Sequence, residues 1–301
     1  MSTLVASFDA QTLVDAVGLG AVYALMAVGI GLVFGVLRLV NFAYGQLVMA
    51  GAYTLALTSS WPLAAGIAMC FVVVVALSLA MERLVFRPLR TQSPAVMLVA
   101  TFAIAFLLQS IALLKFGALG KPASSLASLN QAVSFAGMDI RKVTIVAIVV
   151  AVAALGALAL LLRRTSIGLH MRAAATDFHT ARLLGVRANT VIAFAVLLSG
   201  LLAAAVAVML TVQTPLVTSD FGLKETIIVL VGVVVGGIDR LGSATLGGFA
   251  IGFMIGLLGG ILPTDKSVYL PSLVFALVIL VLLLRPAGLF TRGRASVVDR
   301  V

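Results

Sequence analysis

Nine long apolar stretches run through this chain, and short polar or charged connections separate them. The stretches cover approximately residues 13–37, 41–59, 62–85, 94–116, 143–162, 190–212, 225–238, 244–262 and 268–284. A helix that crosses a bilayer needs about 20 mostly apolar residues. The pattern therefore predicts an all-α fold, a polytopic membrane helical bundle of about eight to ten spans, built as a single domain from residues 1–301.

The composition supports a membrane protein and excludes several other classes. Hydrophobic residues make up 62% of the 301 residues and charged residues only 10%, and the mean hydropathy is +1.25. Soluble domains carry about 25% charged residues. The net charge of +10 does not indicate a nucleic-acid partner, because the basic residues stand at the ends of apolar stretches. Cys70 is the only cysteine, which excludes a disulfide and a cysteine-based metal site.

The basic residues also predict the orientation in the membrane. One set of connections carries fourteen of the twenty basic residues, and all fourteen are arginines. The positive-inside rule places these connections in the cytoplasm. The N-terminus then faces outward and the C-terminus lies in the cytoplasm. The charged segment, residues 163–189, becomes a cytoplasmic loop.

The charged segment has the pattern of an ordered helix. Good helix-forming residues run from Leu169 to Leu184, and Gly185 stands where a left-handed cap commonly ends a helix. On a continuous helix one side carries Ala173, Asp177, Thr180, Ala181 and Leu184. This narrow ridge of small residues favours docking into a groove of another protein. The alternative is an amphipathic helix that lies on the membrane surface with its arginines on lipid phosphates.

Two glycine-containing segments predict broken or re-entrant helices. Gly45-Gln46-x-x-x-Ala50-Gly51 and Gly242-Ser243-x-x-x-Gly247-Gly248 share a spacing, and each follows a polar break in an apolar stretch. Such a match is typical of the internal repeats of transport proteins, although a motif this short also arises by coincidence. Irregular backbone at membrane depth commonly lines a cavity. The candidate substrate-pathway residues are therefore the neutral polar residues Asn41, Tyr44, Gln46, Thr101 and Gln213. The alternative is that they bond neighbouring helices or, for Tyr44, lie at the membrane interface.

Catalytic signatures are absent from the sequence, so an enzyme is disfavoured. His170 and His179 fall on opposite faces of the predicted helix, and no GxxxxGK[ST] phosphate loop occurs. Ion-coupled carriers usually need ionisable groups at membrane depth. The carboxylates considered for such a role, Asp15, Asp220, Glu225, Asp239 and Asp265, all stand near the ends of apolar stretches. The neutral pathway candidates offer no fixed charge to a zwitterionic solute.

Three stretches carry a resemblance to a known family. They are GLGAVYALMAVGIGLVFGVLRLVNFAYGQLVMAGAY, GLHMRAAATDFHTARLLGV and LVGVVVGGIDRLGSATLGGFAIG, followed by the closing RPAGLF. In this order the chain resembles the LivH-type permease subunits of ABC importers for branched-chain amino acids. The resemblance extends along nearly the whole chain, and it implies a multi-pass helical pore in the bacterial inner membrane.

The resemblance also implies partners and roles. ATP would bind to separate ATP-binding subunits, and this chain itself would hold no cofactor and no metal. A second homologous permease subunit and a periplasmic substrate-binding protein would complete the machine within the membrane lipid. The charged segment would be the coupling helix, and its ATPase-coupling residues would be Arg172, Ala173, Asp177, Ala181, Leu184 and Gly185. The alternatives are a permease of the same type for urea, short amides or another polar solute, and a stand-alone channel or ion-coupled carrier.

Overall fold

The computed structural model describes residues 10–90, 92–123, 131–135, 138–237, 240–262 and 264–284. Each of the nine apolar stretches forms a helix in it. In chain order these are α1 (Ala10–Leu37), α2 (Tyr44–Leu57), α3 (Leu63–Met81), α4 (Pro94–Phe116), α5 (Lys142–Arg164), α8 (Ala188–Gln213), α9 (Leu223–Gly236), α10 (Leu241–Ile261) and α11 (Leu270–Leu284). The charged segment supplies α6 (Ser166–Thr176) and α7 (Phe178–Leu183).

The remaining regular structure is short. A π-helical turn (Glu82–Phe86) and one α-helical turn (Arg87–Leu89) extend α3, and a 3₁₀ helix (Thr264–Tyr269) precedes α11. Strand β1 (Lys121–Pro122) pairs antiparallel with β4 (Leu216–Val217). Strands β2 (Ala132–Phe135) and β3 (Met138–Arg141) form a hairpin directly before α5.

Helix length separates two kinds of segment in the bundle. Six of the described helical segments are long and apolar enough to cross a membrane: 11–37, 63–89, 95–116, 142–164, 188–213 and 241–261. Helices α2 and α9 have 14 residues each and α11 has 15. At 1.5 Å per residue they are about 21–23 Å long, less than the hydrocarbon core of about 30 Å. The prediction of a polytopic helical membrane bundle is confirmed, with six described helices long enough to cross and three shorter apolar helices.

Helix α1 forms the centre of the bundle through a close contact with α10. Gly248, Gly252, Gly256 and Gly260 recur every four residues and so share one face of α10. A methyl group added at Gly256 would lie 2.5 Å from the Cα atom of Ala16. Only glycine permits this backbone approach, as is common between membrane helices. The glycines on this face of α10 therefore serve close helix packing.

Helix α2 is buried on nearly every side, and a break in the backbone directs it there. Arg38 ends α1 with a φ of 54°, an uncommon left-handed value for a residue other than glycine. The side chain of Asn41 then accepts a hydrogen bond from the backbone N–H of Ala43 at 3.1 Å, just before α2 begins. Gly45 brings α2 onto the turn before α9, where an added methyl group would lie 2.6 Å from the carbonyl oxygen of Gly222.

Helices α4 and α5 form the outer part of the bundle. In the most apolar part of α1, 83% of the residues are buried, against 22% in α4 and 17% in α5. Their exposed apolar side chains suit contact with lipid or with another membrane subunit.

Candidate functional site

The structure gives two of the predicted pathway residues local structural partners. Asn41 holds the turn before α2, as described above. The Thr101 hydroxyl on α4 lies 2.9 Å from the carbonyl oxygen of Leu98 and 3.4 Å from that of Val40. Both side chains therefore stabilise the break between α1 and α2. Gln213 is distant from them in the chain and ends α8, where it lines a separate cavity.

Tyr44 and Gln46 differ from these two because their buried polar atoms have no partner among the described residues. Both residues have 0% exposure. The Tyr44 hydroxyl and both amide atoms of Gln46 make no hydrogen bond to any described residue. The Tyr44 ring contacts Gly29 of α1 so closely that position 29 has no room for a side chain. An unpaired buried amide costs about 1–3 kcal/mol, so these two side chains need a bound solute, water or a changed conformation to be satisfied.

The charged segment contains two helices and not the single helix predicted for Leu169–Leu184. Helix α6 ends at Thr176, and Asp177 has an extended backbone with φ −147° and ψ 106°. Its carboxylate accepts a hydrogen bond from the backbone N–H of Thr180 at 3.1 Å and another from the Thr180 hydroxyl. Asp177 is therefore the N-cap of α7. Aspartate favours this role because its side chain competes with helical backbone hydrogen bonds.

The break also changes which residues of the segment face outward. Ala181 is 3% exposed and packs inward, whereas Leu184 is 81% exposed. The predicted ridge through both residues is therefore wrong. Arg172 and Asp177 are exposed and Ala173 is half-buried. The prediction for Gly185 is confirmed: its φ is 89°, and the N–H of Val186 reaches the carbonyl oxygen of Ala181 at 3.1 Å in a Schellman-type cap.

The two short helices are held firmly against the bundle. An added methyl group at Gly168 would lie 2.5 Å from the carbonyl oxygen of Leu161, so α6 turns back closely on α5. The Arg38 guanidinium donates a hydrogen bond to the carbonyl oxygen of Ala175 at 2.6 Å, next to the break at Asp177. Met171 and Ala174 of α6 are buried. The outward surface carries Leu183 at 75% exposure beside Leu184.

A cavity of about 380 Å³ lies between the charged segment and the end of α1. Arg38, Arg90 and Arg182 line it together with Phe178 and the start of α8. One guanidinium nitrogen of Arg90 is buried and has no hydrogen-bond partner among the described residues. The cavity wall therefore contains Arg90, which follows the turns that extend α3, together with residues of α7, and its three arginines make it positively charged.

A second cavity, of about 330 Å³, lies at the opposite end of α1. Its polar lining comes from Gln11, Thr12, Asp15, Arg141, Thr144 and Gln213. The rest of the wall comes from Gly18 and Leu19 of α1 and from Gly256, Gly259 and Gly260 of α10. An Arg141 guanidinium nitrogen lies 3.5 Å from Asp15 Oδ1, and the Thr144 hydroxyl donates to the same oxygen at 2.8 Å. We refer to it as the Asp15–Arg141 cavity.

Sequence reasoning missed two charged features. Asp15 and Arg141 are separated by more than 120 residues, and no local pattern indicates that the β2–β3 hairpin brings them together. Glu82 is 7% exposed in the π-helical turn after α3 and lines a cavity with Arg83 and Arg87. The signal for Glu82 was a carboxylate inside the predicted apolar stretch 62–85, close to its end. Within the described part of the chain, no three His, Cys, Asp or Glu side chains gather as a metal site.

Comparisons with known proteins agree with this architecture. Residues 12–284 match the family described as the permease component of the branched-chain amino acid transport system. The chain is 31% identical over 296 residues to BraD of Pseudomonas aeruginosa, described as a high-affinity branched-chain amino acid transport system permease protein, with 94% of this chain and 95% of BraD aligned. It is 29% identical to LivH of Escherichia coli K12, which has the same description and the same coverage. No solved structure gives a significant match.

Proposed function

The chain belongs to the branched-chain amino acid transport permease family, and from that premise we propose that it is the membrane subunit of an ATP-driven importer for branched-chain or related hydrophobic amino acids. It is a multi-pass inner-membrane protein. ATP binds to separate subunits, and this chain provides the path. A second permease subunit and a periplasmic binding protein complete the importer.

The charged segment is the observation that carries the coupling role. Its two helices have 11 and 6 residues, too few to cross a membrane, and Leu183 and Leu184 are exposed on its surface. Water gives such leucines no apolar cover. A cleft on an ATPase subunit does, and the neighbouring Arg172 and Asp177 supply charges for a polar rim.

Each of the six coupling residues has a place in this proposal. Arg172, Asp177 and Leu184 contact the ATPase, and Ala173 permits close seating beside them. Ala181 supports α7 from behind, because it is buried against the bundle. Gly185 ends α7 in a left-handed cap and returns the chain toward α8.

The mechanism follows from how the segment is fixed to the bundle. Asp177 lies at a hinge between α6 and α7, and Arg38 connects that hinge to the end of α1. A movement of the segment, driven by closure of the ATPase dimer, is thereby transmitted to α1 and to α2. Helix α2 carries the buried Tyr44 and Gln46, whose polar atoms have no partner in the described part of the chain. We place these two residues on the substrate pathway, with Gln213 at one end and with Asn41 and Thr101 as supports for the break.

The orientation belongs to the same proposal. The charged segment faces the cytoplasm and the Asp15–Arg141 cavity faces the periplasm, with the N-terminus outside. This arrangement follows the positive-inside rule. A membrane-impermeant thiol reagent tests this orientation. Leu119→Cys should react in intact cells, and Leu183→Cys should react only after the membrane is permeabilised.

Purification from membranes in mild detergent tests the subunit composition. We expect ATPase subunits and a second permease to be recovered with the chain, and a periplasmic protein to bind the complex. Ligand screening of that protein should give leucine, isoleucine or valine as the cargo. A preference for urea or short amides would change the substrate only. Recovery of the chain alone, with flux that needs no ATP, would support a channel or carrier instead.

A further inference from the structure

We infer that the Asp15–Arg141 cavity binds the zwitterionic backbone of an aliphatic α-amino acid at the permease surface. The inference rests on the proposed function and extends it, because it names a substrate site in this chain. Asp15 and Arg141 place one carboxylate and one guanidinium 3.5 Å apart in a cavity of about 330 Å³. Sites for small ligands start at about this size.

The ion pair retains unused hydrogen-bonding capacity. Asp15 uses Oδ1 for both Thr144 and Arg141, and its second oxygen has no partner in the described part of the chain. A guanidinium has five N–H donors, and among the described residues Arg141 places only one nitrogen near an acceptor. The 3.5 Å separation exceeds the usual 2.7–2.9 Å of a charged hydrogen bond. An arriving ligand therefore finds one free acceptor and several free donors.

A zwitterion matches this arrangement because it carries one charge of each sign on adjacent atoms. Its ammonium group would bind the free Asp15 oxygen, and its carboxylate would bind the Arg141 guanidinium. The Gln213 amide, which has no hydrogen bond to another described residue, stands at the same wall. The cavity gains no net charge on binding. On this proposal the chain offers a zwitterion one fixed charge of each sign, which the neutral pathway candidates lack.

The scaffold positions both charges independently of each other. Asp15 stands on the second turn of α1. Arg141 ends strand β3, where it pairs with Ala132, and directly precedes α5. The neighbouring Lys142 is bound differently, with its ammonium group 3.2 Å from the Gln131 side-chain oxygen. Lys142 is therefore a matched control: it is also basic and adjacent in sequence, but it does not line the cavity.

Protection of a cysteine in the cavity wall tests occupancy directly. At Gly259 an added Cβ meets only Leu270, at 3.4 Å, so Gly259→Cys fits with little disturbance. The natural Cys70 is buried and should stay unlabelled. In the assembled complex in nanodiscs, leucine should slow labelling of Gly259→Cys by a small methanethiosulfonate reagent. Labelling of Leu119→Cys, whose parent residue is 90% exposed outside the cavity, should not change.

Charge variants then test the recognition. Loss of one charged hydrogen bond corresponds to about a tenfold change in affinity. Asp15→Asn and Arg141→Gln, each with Gly259→Cys, should need about tenfold more leucine for the same protection, and Lys142→Gln should not. Leucinamide lacks the carboxylate, so its weak protection should be insensitive to Arg141→Gln. 4-Methylpentanoate lacks the ammonium group and should be insensitive to Asp15→Asn.

The outcomes separate this inference from the proposed function. A complex that imports leucine while leucine gives no protection of Gly259→Cys overturns the site. Protection that neither charge variant weakens overturns recognition by Asp15 and Arg141. A complex that imports no branched-chain amino acid overturns the proposed function, whereas protection by another zwitterion in that case still supports the cavity as an amino-acid site.

Discussion

Truncation of the two exposed leucines of the charged segment should separate the ATPase from the permease. Leu183 and Leu184 keep 75% and 81% of their surface exposed, so docking has most of their burial still to gain. Full burial of a leucine side chain contributes about 1.5–3 kcal/mol. Association also costs side-chain freedom, so we take about 1 kcal/mol for each. The double variant Leu183→Ala/Leu184→Ala should then lose about 2 kcal/mol, which is about 30-fold in Kd.

The assay is titration of purified ATPase subunits onto the permease in nanodiscs, read by biolayer interferometry. Leu119→Ala is the matched control, because Leu119 is 90% exposed but lies in a different connection. Its Kd should equal that of the wild type. A double variant that binds the ATPase within twofold of the wild type would refute the reasoning, because the exposed leucines would then not be part of the interface.

Three further substitutions test other parts of the structure. Gly185→Val should lower the free energy of unfolding by about 1–3 kcal/mol and weaken co-purification of the ATPase, because the φ of 89° strains a β-branched residue. Asparagine tolerates this backbone region, so Gly185→Asn should assemble normally. Equal recovery of the ATPase with both variants would contradict the role of the cap. Gln46→Leu should raise the free energy of unfolding by about 1 kcal/mol, since it removes a buried amide that has no partner among the described residues. The same substitution should lower the initial rate of uptake several-fold. Unchanged uptake would exclude Gln46 from the pathway. Gly256→Val should lower the free energy of unfolding by about 1–3 kcal/mol or more, because the added side chain overpacks against Ala16. Gly156→Val has open space around it and should not. Equal melting temperatures of the two purified variants would contradict the close α1–α10 contact.

Local patterns in the sequence predicted the features that depend on neighbouring residues. Apolar stretches of about 20 residues gave the helices, and the position of Gly185 gave the left-handed cap. Helix propensity alone failed at Asp177. The run around it favours a helix, but the aspartate side chain bonds the next turn and starts a new helix there.

Long-range pairing could not be predicted in the same way. Asp15 and Arg141 meet because the β2–β3 hairpin and the start of α5 fold back onto α1. In the sequence, Asp15 and Arg141 each look like an ordinary charge near a helix end. Four of the predicted pathway residues are buried, and hydrogen-bond partners separate them: Asn41 and Thr101 have backbone partners, whereas the Tyr44 hydroxyl and the Gln46 amide have none among the described residues. Sequence identifies polar residues within apolar stretches, and only the fold distinguishes a structural bond from an unpaired group.

ATP-dependent uptake by the reconstituted complex is the most direct test of the central claim. Proteoliposomes that contain this chain, its partner permease and the ATPase subunits would be loaded with ATP, supplied with the binding protein outside, and given radiolabelled leucine. We expect leucine to accumulate inside against its gradient, and we expect no accumulation when ATP is replaced by a non-hydrolysable analogue. Equal flux of leucine with and without ATP would contradict the account and indicate a channel.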